Sequence, residues 1–149
     1  MKYKFVCLNC NKTIKPNPNI PTCPEPNCGG AFEIVYTNIN TKSPQETLIP
    51  LSEISNLIDL GQGNTPIIRL NTLSYNFGIN NIYAKLEYMN PTGSFKDRGS
   101  AMMISALSEF GINEIVEDSS GNAGASVAAY AAAAGIRSNI FVPSTASKS

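Results

Sequence analysis

The chain contains no histidine among its 149 residues, so any acid–base step has to use lysine, a carboxylate, tyrosine, cysteine or a cofactor group. It also has no net charge, because lysine plus arginine and aspartate plus glutamate both total 11. Without a basic surface stripe, we expect no nucleic-acid partner. The longest low-polarity run, 123–136, is too short to cross a bilayer, and the N-terminus is too polar for a signal peptide. The sequence therefore predicts a cytoplasmic protein with no membrane partner.

Four cysteines form two close pairs, which in a reducing compartment favour a metal site over disulfides. Cys7 and Cys10 are separated by two residues, and Cys23 and Cys28 by four. The wider spacing still lies within the range of zinc ligands. We predict a structural zinc ion bound by all four thiolates, which leave it no open position for catalysis. The alternative is a short hairpin that has lost its metal.

The residues around the cysteines have the pattern of a zinc ribbon. Strand-like runs at 2–6 and 31–36 lie on either side of the two cysteine turns, with little apolar core of their own. Asn11 and Gly29 each follow a cysteine and suit the left-handed backbone that such a turn requires. Residues 1–36 are therefore predicted to form a zinc-ribbon-like segment.

The remaining chain predicts a connector and then an α/β domain. Residues 37–60 are a polar connector with a short amphipathic helix, in which Leu51, Ile54, Leu57 and Ile58 repeat at helical spacing. From 61 to 149 the pattern predicts, in order, strand 67–70, helix 71–77, strand 81–87, helix 95–110, a buried strand 114–117, helix 122–134 and strand 139–142. Strands alternating with helices indicate βαβ units and part of a doubly wound parallel sheet.

The segment 91–99, Pro-Thr-Gly-Ser-Phe-Lys-Asp-Arg-Gly, places a lysine in the first turn of a helix. Ser94 and Asp97 match a capping box, so the helix is predicted to start at Phe95. The helix dipole disfavours an ammonium at Lys96 by ~0.3–1 kcal/mol, which favours the neutral amine that attacks an aldehyde. A lone lysine in this position is more often a solvated surface charge.

A second polar turn, 118–124, precedes the alanine-rich helix. Unpaired backbone N–H groups at Ser119, Ser120, Gly121 and Asn122 would form a nest for a substrate carboxylate. The Asn122 amide could donate to a phenolate oxygen on a cofactor ring. The structural alternative is an ordinary helix cap. If strands 81–87 and 114–117 are parallel neighbours, both turns lie at the carboxyl edge of the sheet, where α/β sheets bind ligands.

These motifs resemble those of fold-type II pyridoxal-phosphate enzymes, the tryptophan synthase β superfamily. The run Thr-Gly-Ser-Phe-Lys-Asp-Arg-Gly is most similar to the threonine-synthase-like branch. Residues 60–66 are similar to that branch's Gly-Glu-Gly-Asn-Thr-Pro segment, with Gln62 where glutamate is usual. A cysteine ribbon also precedes the domain in some threonine-synthase-like proteins. The likeness covers almost the whole chain.

The resemblance implies specific roles for the motif residues. Lys96 would be the Schiff-base lysine and proton carrier, Asn122 would contact the ring hydroxyl of pyridoxal phosphate, and Phe95 would pack near the cofactor or in the core. The remaining members of the second motif would bind the substrate carboxylate: Ser119, Ser120, Gly121 and Ala123. The implied reaction converts the amino acid O-phosphohomoserine to threonine with release of phosphate, in an enzyme that we expect to be a homo-oligomer when complete.

The resemblance also implies that the family's phosphate-binding loop and its pyridine-nitrogen residue lie beyond residue 149. We therefore expect an N-terminal portion that is inactive alone, from a truncated, split or degenerate gene, with truncation favoured because the motifs are intact. Alternative functions are a threonine or serine dehydratase, a β-replacement enzyme such as a cysteate or cysteine synthase, or an inactive zinc-ribbon interaction module.

Overall fold

The computed structural model describes residues 2–37 and 48–146. The elements follow in the order β1 (Tyr3–Cys7), β2 (Thr13–Ile14), β3 (Phe32–Tyr36), β4 (Ile67–Arg69), α1 (Asn71–Phe77), β5 (Tyr83–Lys85), α2 (Lys96–Glu109), β6 (Glu114–Asp118), α3 (Asn122–Ala133) and β7 (Arg137–Phe141). The chain divides into two compact units, one of Met1–Leu57 with Met102–Asn113 and one of Ile58–Ala101 with Glu114–Ser149.

The first unit contains an antiparallel sheet in the order β2–β1–β3. Cys7 at the end of β1 lies opposite Phe32 at the start of β3, and the rings of Phe5 and Phe32 stack with centroids 5.7 Å apart. The strands predicted at 2–6 and 31–36 are present and pair with each other. Aromatic contacts between neighbouring strands thus stabilise this sheet, and Cys7 lies at the end of its central strand.

The helix predicted near residue 51 does not form. Only a 3-10 turn, Ile54–Asn56, is present, and residues 38–47 of the predicted connector lie outside the described residues. The Ser52 backbone N–H and hydroxyl, and the Asn56 amide, donate instead to the Glu109 carboxylate at 2.6–3.0 Å. Side-chain bonds of this kind compete with helical backbone bonds, and here they hold the segment in an irregular conformation.

The second unit contains two separate two-stranded sheets in the part of the chain that the structure describes. Strands β4 and β5 pair antiparallel, and backbone bonds from Leu70 to Ile82 and from Leu86 to Pro66 continue this pairing at both ends. Strands β6 and β7 pair parallel, with Glu114 opposite Arg137, and α3 packs against them. This β6–α3–β7 segment is the βαβ unit that the sequence predicts.

The condition that strands 81–87 and 114–117 are parallel neighbours is not met in the described residues, since β5 pairs with β4 and β6 with β7. Alternation of strands and helices specifies the order of elements but not which strands share hydrogen bonds. The strand at 114–117 is also not buried: its residues alternate between exposed and partly buried, and Val116 is 67% exposed. With one neighbouring strand and a helix on one face, the other face of β6 stays open.

The helices match the sequence pattern closely. Helix α2 begins at Lys96, one residue later than predicted, and α1 and α3 end within a residue of the predicted positions. The glycines predicted to end the three helices all have a left-handed backbone: Gly78, Gly111 and Gly135. In the described residues, no helix is long and apolar enough to span a membrane.

Candidate active site and cysteine cluster

Lys96 is the first residue of α2, and its side chain is exposed. Its backbone N–H donates to the Ser94 hydroxyl at 3.3 Å. Its Nζ lies 4.7 Å from the centroid of the Phe95 ring, and it has no ion pair with a carboxylate among residues 2–37 and 48–146. Within the part of the chain that the structure describes, the amine therefore has a weak cation–π contact as its one interaction and is accessible to a ligand.

The neighbouring Asp97 does not form the predicted capping box with Ser94. Its carboxylate accepts a hydrogen bond at Oδ2 from the Thr92 backbone N–H at 2.7 Å, and one at Oδ1 from the Thr92 hydroxyl. The prediction was wrong about this side chain because the sequence spacing cannot show a competing partner from outside the helix. The Asp97 carboxylate also accepts a hydrogen bond from the Ser126 hydroxyl.

Asp97 joins the two sequence motifs. Its Oδ1 accepts a hydrogen bond from the Ser126 hydroxyl at 2.6 Å, and neither residue has any exposed surface. Ser126 lies one helical turn after Asn122 on α3. The helix that begins with Lys96 is thus tied, through the residue next to the lysine, to the helix that begins with Asn122.

The start of α3 is open and lacks a side-chain cap. Gly121 precedes the helix with extended backbone, and its N–H donates to the Ser119 hydroxyl at 3.3 Å. The Asn122 side chain is exposed and has no hydrogen-bond partner within the described ranges. Because the first N–H groups of a helix have no partner inside it, this end can bind an anion.

Gly124 allows the turn to approach the helix closely. A Cβ at this position would lie 2.4 Å from the Ser119 carbonyl oxygen and 3.0 Å from a methyl group of Ile140. No real Cβ tolerates such a distance from backbone. Glycine is therefore required for the 119–124 turn to have its observed shape.

A third motif is attached to the same region. In the segment 61–66, the Gly63 backbone N–H donates to the Asn90 side chain at 2.9 Å, and the Thr65 hydroxyl donates to Glu87 at 2.8 Å. The Arg98 guanidinium in turn donates to both carboxylate oxygens of Glu87 at 2.8 and 2.9 Å. This bidentate ion pair links the glycine-rich loop to the lysine-bearing helix.

The ion pair also changes the protonation of Glu87. Hydrogen bonds from Arg98 and then from Thr65 lower the pKa of the Glu87 carboxyl to about 2. The carboxylate is therefore ionised at any physiological pH. At the start of the same loop, the Gln62 side-chain oxygen accepts a hydrogen bond at 2.8 Å from the Tyr130 hydroxyl. Burial is the main cause that raises the pKa of the Tyr130 hydroxyl to about 12.

Sequence reasoning missed the residues that hold the motifs together. Thr65 and Arg98 lie inside motifs already identified, and Ser126 lies one turn after Asn122, so a search for polar residues at helical spacing could have found it. Glu87 and Asn90 have no local pattern of their own, because their partners come from distant parts of the sequence.

The four cysteine sulfurs form a compact cluster in the first unit. All four Sγ atoms lie within 4.8 Å of one another, and the Cys7–Cys28 and Cys10–Cys23 pairs are each 3.6 Å apart. A disulfide would require about 2.05 Å. Tetrahedral zinc with bonds of about 2.3 Å places its sulfurs about 3.8 Å apart. The spacing therefore fits a four-coordinate metal and not disulfides.

The backbone around the cluster has the predicted form. Asn11 and Gly29 both have positive φ, at 59° and 55°. A Cβ at Gly30 would lie 2.8 Å from the Cys7 sulfur, so this position also requires glycine. A hydrogen bond from the Cys10 backbone lowers the pKa of Cys7 to about 6, which favours a thiolate at neutral pH.

Comparison with known proteins identifies the class of protein. The model of the family "Pyridoxal-phosphate dependent enzyme" matches residues 58–149, and the chain belongs to this family. The match covers the lysine motif, the 119–124 turn and the glycine-rich loop.

Individual relatives narrow the comparison. The chain is 36% identical to threonine synthase of Methanocaldococcus jannaschii, across 92% of this chain and 37% of that protein. It is 30% identical to threonine synthase of Methanosarcina acetivorans, across 95% of this chain and 37% of that protein. It is 45% identical to threonine synthase of Halalkalibacterium halodurans, across 64% of this chain and 27% of that protein. The chain thus spans about a third of the length of these relatives.

Among solved structures, an O-acetylserine dependent cystathionine beta-synthase from Helicobacter pylori matches with a TM-score of 0.49 and 29% identity, covering 66% of this chain and 32% of that chain.

Proposed function

We propose that the protein is a pyridoxal-phosphate dependent lyase of the threonine synthase type that attaches its cofactor at Lys96. The observation that carries this proposal is the buried bond between Asp97 and Ser126. It joins the helix starting with Lys96 to the helix starting with Asn122, while the side chains of both functional residues stay free for a ligand.

The residues present fit the cofactor. The Lys96 amine is exposed and has no carboxylate partner in the described parts of the chain, as an amine that attacks an aldehyde requires. A Cβ built at Gly93, Gly99 or Gly121 would meet no atom within 4 Å, so there is open space beside both motifs. The uncapped start of α3 favours an anionic group such as a carboxylate.

Each residue then has a defined task. Lys96 would hold the cofactor through its amine and would carry protons to and from the substrate. The Asn122 amide would donate to the ring hydroxyl, and Phe95 would pack against the ring. The turn residues would bind the substrate carboxylate through their N–H and hydroxyl groups: Ser119, Ser120, Gly121 and Ala123. When bound, the cofactor supplies an electron sink for carbanions.

The substrate is proposed on different grounds from the site. The chain's own residues support an amino acid, because the nest at the start of α3 suits a carboxylate. The relatives named threonine synthase, in bacteria and archaea, favour O-phosphohomoserine, with loss of phosphate and addition of water. Oligomeric assembly and a cytoplasmic location stay predictions from the sequence.

The site assignment is tested by trapping. Incubation with pyridoxal phosphate followed by borohydride is expected to add a reduced pyridoxyl group to the peptide that contains Lys96, as measured by mass spectrometry. Lys96→Ala should abolish the adduct, and Lys15→Ala, which removes an exposed lysine of the first unit, should leave it unchanged. An adduct on another lysine, or an undiminished adduct in Lys96→Ala, would show that the assignment is wrong.

The reaction is tested with substrates. Release of phosphate from O-phosphohomoserine together with threonine formation supports a threonine synthase. Deamination of threonine or serine without that activity supports a dehydratase, and replacement of a β-substituent by a thiol or sulfite supports a β-replacement enzyme. Each result leaves the Lys96 assignment standing and changes only the substrate.

For the first unit we propose a structural zinc ion bound by Cys7, Cys10, Cys23 and Cys28. Four cysteine sulfurs that all lie within 4.8 Å of one another are the donor set that zinc prefers. Four thiolates leave no open position, so the ion would stabilise the fold without taking part in the reaction. Elemental analysis of the folded protein is expected to find one zinc per chain, and a folded protein without zinc would contradict the proposal.

A further inference from the structure

The buried carboxylate next to Lys96 has no task in the function described so far. Asp97 has no exposed surface, and it has no salt bridge to a lysine or arginine within residues 2–37 and 48–146. The adjacent Arg98 is instead committed to Glu87. A buried charge without a cation is costly, so its presence calls for a specific set of hydrogen bonds.

We propose that Asp97 is a positioning residue which, through Ser126, holds the start of the lysine-bearing helix against the asparagine-bearing helix so that Lys96 can react with the cofactor. This inference rests on the proposed function. It assigns a role to Asp97 and Ser126 that does not involve contact with the cofactor or the substrate.

The hydrogen bonds to Asp97 require a carboxylate with both oxygens accepting. Oδ2 accepts from the Thr92 backbone N–H, while Oδ1 accepts from the Thr92 and Ser126 hydroxyls. An asparagine has only one acceptor oxygen and would turn an NH₂ group towards one of these donors. Burial would raise the pKa of Asp97, but the bonds from Ser126 and Thr92 outweigh it and keep that pKa below its usual value.

The position of the bond explains why it would matter for Lys96. Asp97 follows Lys96 directly at the start of α2, and Ser126 lies one turn after Asn122 on α3. A hydrogen bond between two fully buried side chains permits little sliding of one helix start past the other. Loss of this bond would leave each helix folded but would loosen the separation of the two functional residues.

The two hydroxyl groups on Oδ1 provide a matched comparison. Ser126→Ala removes the bond between the helices and keeps the bond from Thr92. Thr92→Val removes the other hydroxyl bond to the same oxygen and keeps the bond between the helices. Both variants lose one hydroxyl donor from the same carboxylate, so a purely structural role predicts similar effects on stability and on the adduct.

The test compares the protein and both variants in pyridoxal phosphate titrations trapped with borohydride, with thermal unfolding without cofactor as the second measurement. We expect Ser126→Ala to need about tenfold more pyridoxal phosphate for half-maximal adduct at Lys96, and Thr92→Val less than about threefold more, at similar melting temperatures. Equal titrations for the two variants would overturn the positioning role.

Two outcomes keep this inference distinct from the proposed function. If the unaltered protein forms no adduct at Lys96, the proposed function fails and the inference fails with it. If the unaltered protein forms the adduct and Ser126→Ala needs the same pyridoxal phosphate concentration for half-maximal adduct, only the positioning role fails. Should Ser126→Ala not fold, Ser126→Cys replaces the hydroxyl with a weaker donor of similar shape, and a smaller shift in the same direction relative to Thr92→Val is expected.

Discussion

In the first unit the atoms of the candidate site lie close to one another, whereas in the second unit the candidate groups have few contacts with the described residues. The four cysteine sulfurs lie within 4.8 Å of one another, and this spacing fits a metal site. The Lys96 amine contacts only an aromatic ring, and the Asn122 amide has no partner in the described ranges. Their arrangement has to be inferred from the neighbours that are held, Asp97 and Ser126.

The difference follows from what each site would bind. A structural metal ion uses every ligand at once, so its ligands converge and the site is closed. A reactive amine must stay accessible to an aldehyde, so the fold can hold it only through adjacent residues. Metal sites can therefore be recognised from the ligands themselves, and a covalent cofactor site from the hydrogen bonds beside the reactive group.

Removal of the proposed metal should have the largest effect on the protein. A small effect would contradict the contrast drawn between the cysteine cluster and the lysine site. Structural zinc contributes on the order of 10 kcal/mol to the folding of small zinc-binding peptides. A strong chelator at neutral pH is expected to expose the amides of Tyr3–Cys7 and Phe32–Tyr36 to hydrogen exchange, with Glu114–Asp118 as internal reference. Unchanged protection of the first two strands would mean that the sheet is stable without a metal.

The next largest effect should come from Gly124, and it should not depend on a ligand. A Cβ there would lie 2.4 Å from the Ser119 carbonyl oxygen, so Gly124→Ala is expected to destabilise the protein by about 1–3 kcal/mol. The matched control is Gly99→Ala, also inside a helix, where a Cβ meets nothing within 4 Å and a gain of about 0.5–1 kcal/mol is expected. Urea unfolding without cofactor measures both, and equal effects would contradict the close approach at Gly124.

The smallest effect should be the acid sensitivity of the Glu87–Arg98 pair. The folded-state pKa of Glu87 is about 2, below its ordinary value of 4.5. The stabilisation is therefore fully present above about pH 4.5 and is lost as the pH falls towards 2. Melting temperatures measured from pH 6 to pH 3 should fall less steeply for Glu87→Gln than for the unaltered protein. The same slope in both would show that the pair does not stabilise the second unit.

Local features of the fold could be predicted well. The ends of the helices at Gly78, Gly111 and Gly135 follow from backbone preferences that act within a few residues. The left-handed turns at Asn11 and Gly29 were predicted for the same reason. The family could also be inferred, because the lysine and asparagine motifs are contiguous in sequence and the family match includes both.

Features that depend on distant partners could not be predicted. Asp97 had the sequence spacing of a capping box, but a buried serine from another helix competed successfully for its carboxylate. Ser52 and Asn56 bonded to Glu109 and prevented a helix that the apolar spacing favoured. In both cases a local preference of about 1 kcal/mol was outweighed by several hydrogen bonds from outside the segment.

The amino-acid sequence by itself determined the order of the elements, the positions of the helix ends, the metal-type spacing of the cysteines and the presence of a lysine at a helix start shortly before a second polar turn. Only the tertiary structure decided which strands pair, that the four sulfurs converge, and that a buried aspartate connects the two motif-bearing helices. The physical reason is range: backbone preferences act over one or two turns, whereas strand pairing and buried hydrogen bonds depend on groups that folding alone brings together.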